Sequence, residues 1–248
     1  MQDTDELLAR IRVILVRTYH PGNIGSAARS MKTMGLSDLC LVQPRDFPSI
    51  EATRMAAGAA DLVNHARCVD DLASAVADCT TVIASTARPR GYDLPELSPQ
   101  AAARLLLEQS TTAPVALIFG PERMGLHNKD MQHARYRVTI PANPDYNSLN
   151  MAAAVQTLSY EIFKAAGEHY QGVASTKPER QLPTTEDLER LHVHLETVLR
   201  EIQFLRPHEG ETLQRLRNLI SRAEPDQLDA NILRGILSAI QKSANNQP

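Results

Sequence analysis

The sequence predicts an α/β domain built on a mostly parallel sheet, followed by a small all-helical extension. Three observations predict it. Short β-branched apolar runs alternate with helix-like segments through the first two-thirds of the chain. Those runs are apolar at nearly every position, as in strands covered on both faces. Beyond about residue 167 the composition changes, and apolar residues then recur only at helical spacing.

Ile11–Val16 is the first predicted strand, and residues 24–34 form a helix ended by Gly35. Residues 39–42 make a second strand, stopped by Pro44. An Ala-rich helix follows over 51–57, then a strand candidate at Asp61, Leu62 and Val63, and a helix over 70–77. Thr81–Ser85 is another buried strand. Residues 101–108 read as a helix, Val115–Phe119 as a strand, 137–140 as the last strand, and 149–166 as a long Ala-rich helix. The domain is expected to span 1–167. Residues 168–183, polar with Gly, Ser, Thr and two prolines, form a linker. In the extension, 184–248, Thr184 and Asp187 resemble a helix N-cap. Leu188, Leu191, Leu195, Val198, Ile202 and Leu205 form one stripe, and Leu213, Leu216 and Ile220 continue it after a break at Pro207. Leu228, Ile232, Leu233, Ile236 and Ile240 mark a third helix. Three short helices make a marginal core, so the stripe calls for a further contact. Dimerisation would supply it and could gather Arg215, Arg217 and Arg222 into a basic patch.

With 248 residues, 43% hydrophobic and 22% charged, the chain has apolar mass for a core and is neither collagenous, disulfide-stapled nor wholly disordered. The acidic start MQDTDELLAR is unlike a secretory signal, and no apolar run reaches membrane-spanning length, so no membrane partner is expected. Cys40, Cys68 and Cys79 are widely spaced without a CxxC pair, which fits a reduced cytoplasm and no cysteine metal site. His192 and His194, two apart on a helix, face different sides and read as surface residues rather than ligands. A net charge of −3 means that any nucleic-acid partner needs a local basic patch.

Chemistry concentrates in three loops, each following a predicted strand. The first runs Thr18-Tyr19-His20-Pro21-Gly22-Asn23-Ile24-Gly25-Ser26-Ala27-Ala28-Arg29. Its glycines allow tight turning at a helix start, where free amides can hold an anion. Its GxxG spacing is neither the dinucleotide GxGxxG nor a Walker loop. The second is Gly120-Pro121-Glu122-Arg123-Met124-Gly125-Leu126, and the third runs from Pro141 to Asn150 into the Ala-rich helix. Each alone is compatible with an ordinary strand-to-helix connection.

Together and in this order, NxGxxAR, FGxExxGL and IPxxxxxxSLN resemble the SPOUT class of RNA methyltransferases, in its TrmH-like branch, over roughly residues 10–166. Met31-Lys32-Thr33-Met34-Gly35-Leu36, Ser85-Thr86-Ala87-Arg88-Pro89-Arg90 and the helical tail are similar to the TrmJ subgroup, which methylates the ribose 2′-hydroxyl of nucleotide 32 (cytidine or uridine) in the tRNA anticodon loop. The resemblance implies a parallel sheet with a C-terminal trefoil knot and an obligate homodimer. It also implies S-adenosylmethionine as cofactor and tRNA as substrate. Arg29 would come from one subunit and the cofactor pocket from the other. By motif position it assigns catalytic roles to Arg29, Asn23 and Ser148, and cofactor contacts to Ser85, Thr86, Ala87, Gly120, Ile140, Asn147, Ser148 and Leu149. Arg88 and Arg90 would hold tRNA phosphates as bidentate forks, and Glu122 would organise the loops.

Methyl transfer from a sulfonium is an in-line displacement that needs alignment and help with one proton, so a metal cluster or Ser-His-Asp set is not expected. A guanidinium holds its proton far above neutral pH, so Arg29 reads as a grip on the adjacent phosphate. Alternatives are methylation at another tRNA or rRNA position, a non-catalytic RNA-binding SPOUT module, and, in a different class, a dinucleotide-dependent oxidoreductase, which the missing GxGxxG disfavours.

Overall fold

A computed structural model describes residues 4–87, 94–169, 181–206 and 210–245. Arg88, Arg90, Pro207 and most of the expected linker lie outside the described residues. The chain divides into two compact units, Met1–Ser175 and Thr176–Pro248.

The first unit contains, in order, α1 (Thr4–Ala9), β1 (Ile11–Val16), α2 (Pro21–Thr33), β2 (Asp38–Val42), α3 (Ile50–Ala56), α4 (Ala60–Asn64) and β3 (Arg67–Val69). Then follow α5 (Leu72–Val76), β4 (Thr81–Ser85), β5 (Glu96–Leu97), α6 (Pro99–Ser110), β6 (Val115–Phe119), α7 (Asn128–Met131), β7 (Tyr136–Val138) and α8 (Met151–His169). The seven strands form one sheet in the order β3-β2-β1-β6-β4-β7-β5, with every pairing parallel. After β4 the chain goes to the β5 edge, returns through α6 to place β6 between β1 and β4, and then inserts β7 between β4 and β5.

Side-chain alternation along β1 shows why these strands are apolar throughout. Ile11, Val13 and Leu15 pack toward α1, α2, α3, α6 and α8. Ile14 and Val16 pack on the other face with Leu72 and Val76 of α5 and Met131 of α7. Arg12 interrupts the run yet is buried. Its guanidinium donates to Asp38 at 2.8 Å, to Asp78 at 2.6 and 3.1 Å, and to the Ala75 carbonyl at 2.9 Å. A buried charge is tolerable only with such partners.

Several expectations need correction. Asp61, Leu62 and Val63 lie in helix α4 rather than a strand. Three residues are too few to distinguish periods, and here Leu62 and Val63 turn inward from a short helix continuing α3 through a tight turn. The strand is the next segment, β3, which pairs Arg67 with Cys40 on the sheet edge. The two-residue β5 was not foreseen, and β7 ends at Val138, leaving Ile140 outside the sheet. α8, expected over 149–166, runs from Met151 to His169. Gly35, with φ +75°, does end α2, where the Leu36 amide donates to the Met31 carbonyl at 3.0 Å. Gly25 serves packing rather than turning. A Cβ there would sit 2.0 Å from the Ala52 carbonyl oxygen, so only glycine lets α2 and α3 cross this closely.

The second unit contains α9 (Thr185–Glu201), α10 (Gly210–Ala223) and α11 (Gln227–Asn245). The expected cap at its start is a reciprocal capping box: Thr184 and Asp187 each accept from the other's backbone amide at 3.1 Å. Leu191 and Val198 of α9 pack with Ala230 and Leu237 of α11, while Leu228, Ile232 and Ile236 are exposed. The apolar residues that mark α11 in the sequence therefore lie mostly on its outer side. Small Ala230 and Leu237, seven apart, carry the contact with α9. Arg217 is held by both oxygens of Glu189 at 2.9 and 3.0 Å and Arg215 lies 3.7 Å from Glu211, so neither is a free member of a basic patch. His192 is buried, not on the surface. Burial, reinforced by the charge of Arg217, pushes its pKa down to about 4.

Candidate functional site

Parallel sheets with helices on both faces bind ligands beyond the carboxyl ends of their strands, where loops gather. Here the loops after β4, β6 and β7 meet in one cleft of about 800 Å³, its solvent-open mouth included. Ser85, Thr86 and Ala87 come from the end of β4, and Phe119 to Gly125 from the loop after β6. Ile140, Asn147, Ser148 and Leu149 come from the segment leading into α8, and Met151 and Ala154 from α8 itself. All eight residues expected to touch the cofactor stand on this wall.

The loop after β6 is folded tightly on itself. A Cβ on Gly120 would meet the Leu126 amide nitrogen at 2.2 Å, Gly125 has φ +65°, and its amide donates to the Pro121 carbonyl at 2.8 Å. On the β4 side, the Thr86 amide donates to the Val138 carbonyl at 3.1 Å, fixing the start of that loop against β7.

Glu122 ties this wall to the start of α2. Its carboxylate accepts from the backbone amides of Tyr19 at 2.9 Å and His20 at 3.2 Å, and from the Asn23 side chain at 2.7 Å. The Asn23 oxygen in turn accepts from Asn150 at 3.2 Å, and the Asn150 oxygen accepts from the Ala152 amide at 2.8 Å. One relay therefore links all three sequence loops. The anion held just ahead of α2 is the chain's own Glu122. Burial alone would raise its pKa, but the bonds from Asn23 and the Tyr19 and His20 amides prevail and hold it below the ordinary carboxylate range. It is ionised at neutral pH.

A second clamp lies behind the loop. Arg17, with φ +50° at the end of β1, forks onto the buried carboxylate of Asp130, which also accepts from the His127 amide at 2.7 Å. Burial opposes ionisation of Asp130, yet Arg17 and the His127 amide keep its pKa low.

The cleft wall accommodates an amphipathic nucleoside-bearing ligand. It offers apolar surface from Ala87, Phe119, Met124, Ile140 and Leu149, backbone groups from three loops and, among the described residues, only Glu122 and Arg123 as charged side chains. Glu122 is turned to the α2 side by the bonds above. Ser148 is exposed and on the wall. Asn23 is not part of the wall, and one donor and one acceptor of its amide are committed to Glu122 and Asn150. Arg29 is exposed on α2 and off the wall, and its guanidinium has no hydrogen-bonding or charged partner among the described residues. Within one chain the structure thus joins the cofactor candidates with Ser148, and leaves Arg29 apart. Sequence reasoning missed Met124, Met151 and Ala154 on the wall and the partnership of Asn23 with Asn150. The Asn in SLN was the available signal for the latter. No group of side chains suited to a metal ion occurs among the described residues, and no described helix is long and apolar enough to cross a membrane.

Comparison with known proteins agrees over almost the whole chain. The SpoU rRNA Methylase family profile matches residues 10–160, and that of the tRNA methyltransferase TrmJ, C-terminal domain, matches 186–248. The tRNA (cytidine/uridine-2′-O-)-methyltransferase TrmJ of Cronobacter sakazakii is 44% identical over 245 residues, covering 98% of this chain and 100% of the relative. Its counterpart from Pectobacterium atrosepticum is 45% identical over 238 residues, covering 96% and 99%. The crystal structure of TrmJ from Z. mobilis ZM4 superposes with a TM-score of 0.80 at 36% identity, covering 93% of this chain and 98% of that one.

Proposed function

The chain belongs to the SpoU rRNA methylase family, and from that premise we propose that it is a tRNA ribose 2′-O-methyltransferase using S-adenosylmethionine, acting on cytidine or uridine at nucleotide 32 of the anticodon loop. One observation carries the reading: all eight residues placed by motif at the cofactor line a single cleft, with Ser148 at its edge. The near-full-length similarity to proteins named for this reaction supports the substrate class, and the TrmJ-type C-terminal match supports the position. The C-terminal trefoil knot and the domain limits 1–167 and 184–248, with a linker at 168–183, belong to the same reading. So does a cytoplasmic location, which free Cys40, Cys68 and Cys79 suit.

When bound, S-adenosylmethionine supplies a methyl group on a sulfonium to an oxygen nucleophile. The chain holds it with Ser85, Thr86, Ala87, Gly120, Ile140, Asn147, Ser148 and Leu149, largely through backbone groups and apolar contacts. Ser148 is in reach of the cleft to hydrogen-bond the ribose. Asn23 positions rather than touches: through Glu122 and Asn150 it sets the loop after β6 against the start of α8. Arg29 grips the phosphate beside the target ribose and orients its 2′-hydroxyl. Its permanent charge stabilises negative charge developing on the 2′-oxygen, and proton removal at that atom requires the phosphate contact or solvent. Arg88 and Arg90 are the proposed phosphate contacts beyond the cleft.

Arg29 stands off the wall of its own chain, which supports a shared site in which a second subunit brings it to the cofactor. A homodimer fits the apolar surface of the first unit: Ile50 is 90% and Tyr146 79% exposed, with Leu149, Tyr160 and Phe163 also exposed. The test is transfer of labelled methyl from S-adenosylmethionine to unmodified tRNA. Label that persists in an alkali-resistant dinucleotide is the expected result, since 2′-O-methylation blocks backbone cleavage. Label on a base, or no incorporation, would overturn the reading.

A further inference from the structure

The net charge of −3 requires any RNA contact to be local, and several cations of the first unit are already engaged. Arg10, Arg12, Arg17, Lys32 and Arg137 each face a carboxylate. Arg45 and Arg123 do not. Among the described residues neither meets a carboxylate, and both gather over one aromatic ring. The Arg45 guanidinium carbon lies 4.1 Å from the Tyr19 ring centroid and that of Arg123 lies 5.2 Å away. His20 stands edge-on to the same ring, with centroids 4.9 Å apart.

Three loops bring this cluster together at the carboxyl edge of the sheet. Tyr19 follows β1, Arg45 follows β2, and Arg123 follows β6. Their backbones are tied: the Arg45 amide donates to the Thr18 carbonyl at 3.1 Å, and the Tyr19 amide donates to Glu122, the neighbour of Arg123. Arg123 also lines the cleft, so the cluster borders it.

The chemistry of the arrangement is specific. A guanidinium held by a carboxylate has its fork of donors occupied. One held over an aromatic face by cation–π attraction keeps its charge and its in-plane donors, while losing conformational freedom. Two such groups on one fixed ring form a pre-oriented receptor for successive phosphates, with an exposed aromatic edge against which a base can lie.

We propose that Tyr19, Arg45 and Arg123 form a phosphate clamp at the mouth of the cleft that holds the RNA backbone flanking the methylated nucleotide. Arg45 and Arg123 contact phosphates, and Tyr19 is their positioning residue. The inference rests on the functional reading above, since it takes RNA to be the substrate.

Binding of unmodified tRNA to the full chain, measured from 50 to 300 mM salt, tests it, with S-adenosylhomocysteine titration as a parallel readout. The Arg45→Gln/Arg123→Gln double variant is expected to bind tRNA at least about tenfold more weakly at 100 mM salt. Its plot of log affinity against log salt should be shallower by about 1.5, as two lost phosphate contacts require. Arg45→Gln alone should lose about half of that slope and leave S-adenosylhomocysteine affinity unchanged, because Arg45 is not on the cleft wall. Tyr19→Leu keeps both charges and the backbone bond to Glu122, and should weaken binding about threefold with the slope nearly intact. Wild-type affinity and slope in the double variant would overturn the clamp while leaving the function standing. Absence of tRNA binding by the wild-type chain would overturn both.

Discussion

Replacing Glu122 with alanine removes the acceptor for three donors at once: the Tyr19 and His20 amides and the Asn23 side chain. A hydrogen bond to a charged group contributes about 1.5–3 kcal/mol net. Glu122 is only half-buried, so water recovers part of that loss. Taking the lower figure for each bond and returning about half to solvent leaves a cost of about 2 kcal/mol. The cost falls on the order of the loop after β6 rather than on the sheet, because the bonds join that loop to the start of α2. Ligand binding must then re-form the cleft wall, so the dissociation constant for S-adenosylhomocysteine should rise about thirtyfold. Glu122→Gln keeps one acceptor but turns an NH2 group toward a donor, and should lose about fivefold. Titration calorimetry on both variants, with near-ultraviolet dichroism to confirm an intact fold, makes the measurement. An alanine variant with wild-type affinity would refute the claim that Glu122 braces the cleft.

Arg29→Ala should lower turnover at least about a hundredfold while leaving S-adenosylhomocysteine affinity unchanged in calorimetry, since Arg29 is off the cleft wall; an equal loss of cofactor affinity would contradict that division. Co-expressing Arg29→Ala with Gly120→Ala, whose new Cβ would strike the Leu126 amide, should restore part of the activity through one intact hybrid site. Verified heterodimers without activity would exclude a shared site. Asp130→Ala strands the Arg17 guanidinium and uncaps α7, and should cost about 3–5 kcal/mol, read as a fall of about 10 °C in Tm. For His192, the folded pKa of about 4 lies below the ordinary value of 6.5. The unfolded chain therefore binds a proton that the folded one refuses between those values, and stability falls as pH drops through that window. The loss should reach about 2 kcal/mol by pH 5, and urea unfolding of His192→Leu should show a flatter pH dependence than wild type.

Much of this was legible in the sequence because the sheet is buried on both faces. Ile11–Val16 and Val115–Phe119 are apolar at all positions but Arg12, and Thr81–Ser85 has an apolar centre, a pattern few other structures produce. The cleft residues were legible as motifs only. Composition could not have shown that a Cβ on Gly120 would lie 2.2 Å from the Leu126 amide nitrogen, nor that Gly25 belongs to a helix crossing. Segments of two to five residues carry no usable period, which is why α4 read as a strand and β5 passed unseen. α11 was legible as a helix, but not which of its sides packs on α9. Its apolar residues cover more than one face, and Ala230 rather than the larger Ile232 turns inward to α9. Glu122, Asn23 and Asn150 are about 100 residues apart or more in two of their pairings, so their relay needed coordinates. The gathering of Arg45 and Arg123 over Tyr19 likewise has no local signature.

Mapping the methylated nucleotide tests the central claim most directly. Unmodified tRNA transcripts with cytidine or uridine at position 32 would be incubated with the purified chain and S-adenosylmethionine, then probed by alkaline hydrolysis at nucleotide resolution. The account predicts one protected linkage, 3′ of nucleotide 32, absent when Arg29→Ala replaces the wild-type chain. Protection at a different position would contradict the assignment to nucleotide 32, and undiminished protection with Arg29→Ala would contradict the catalytic arrangement.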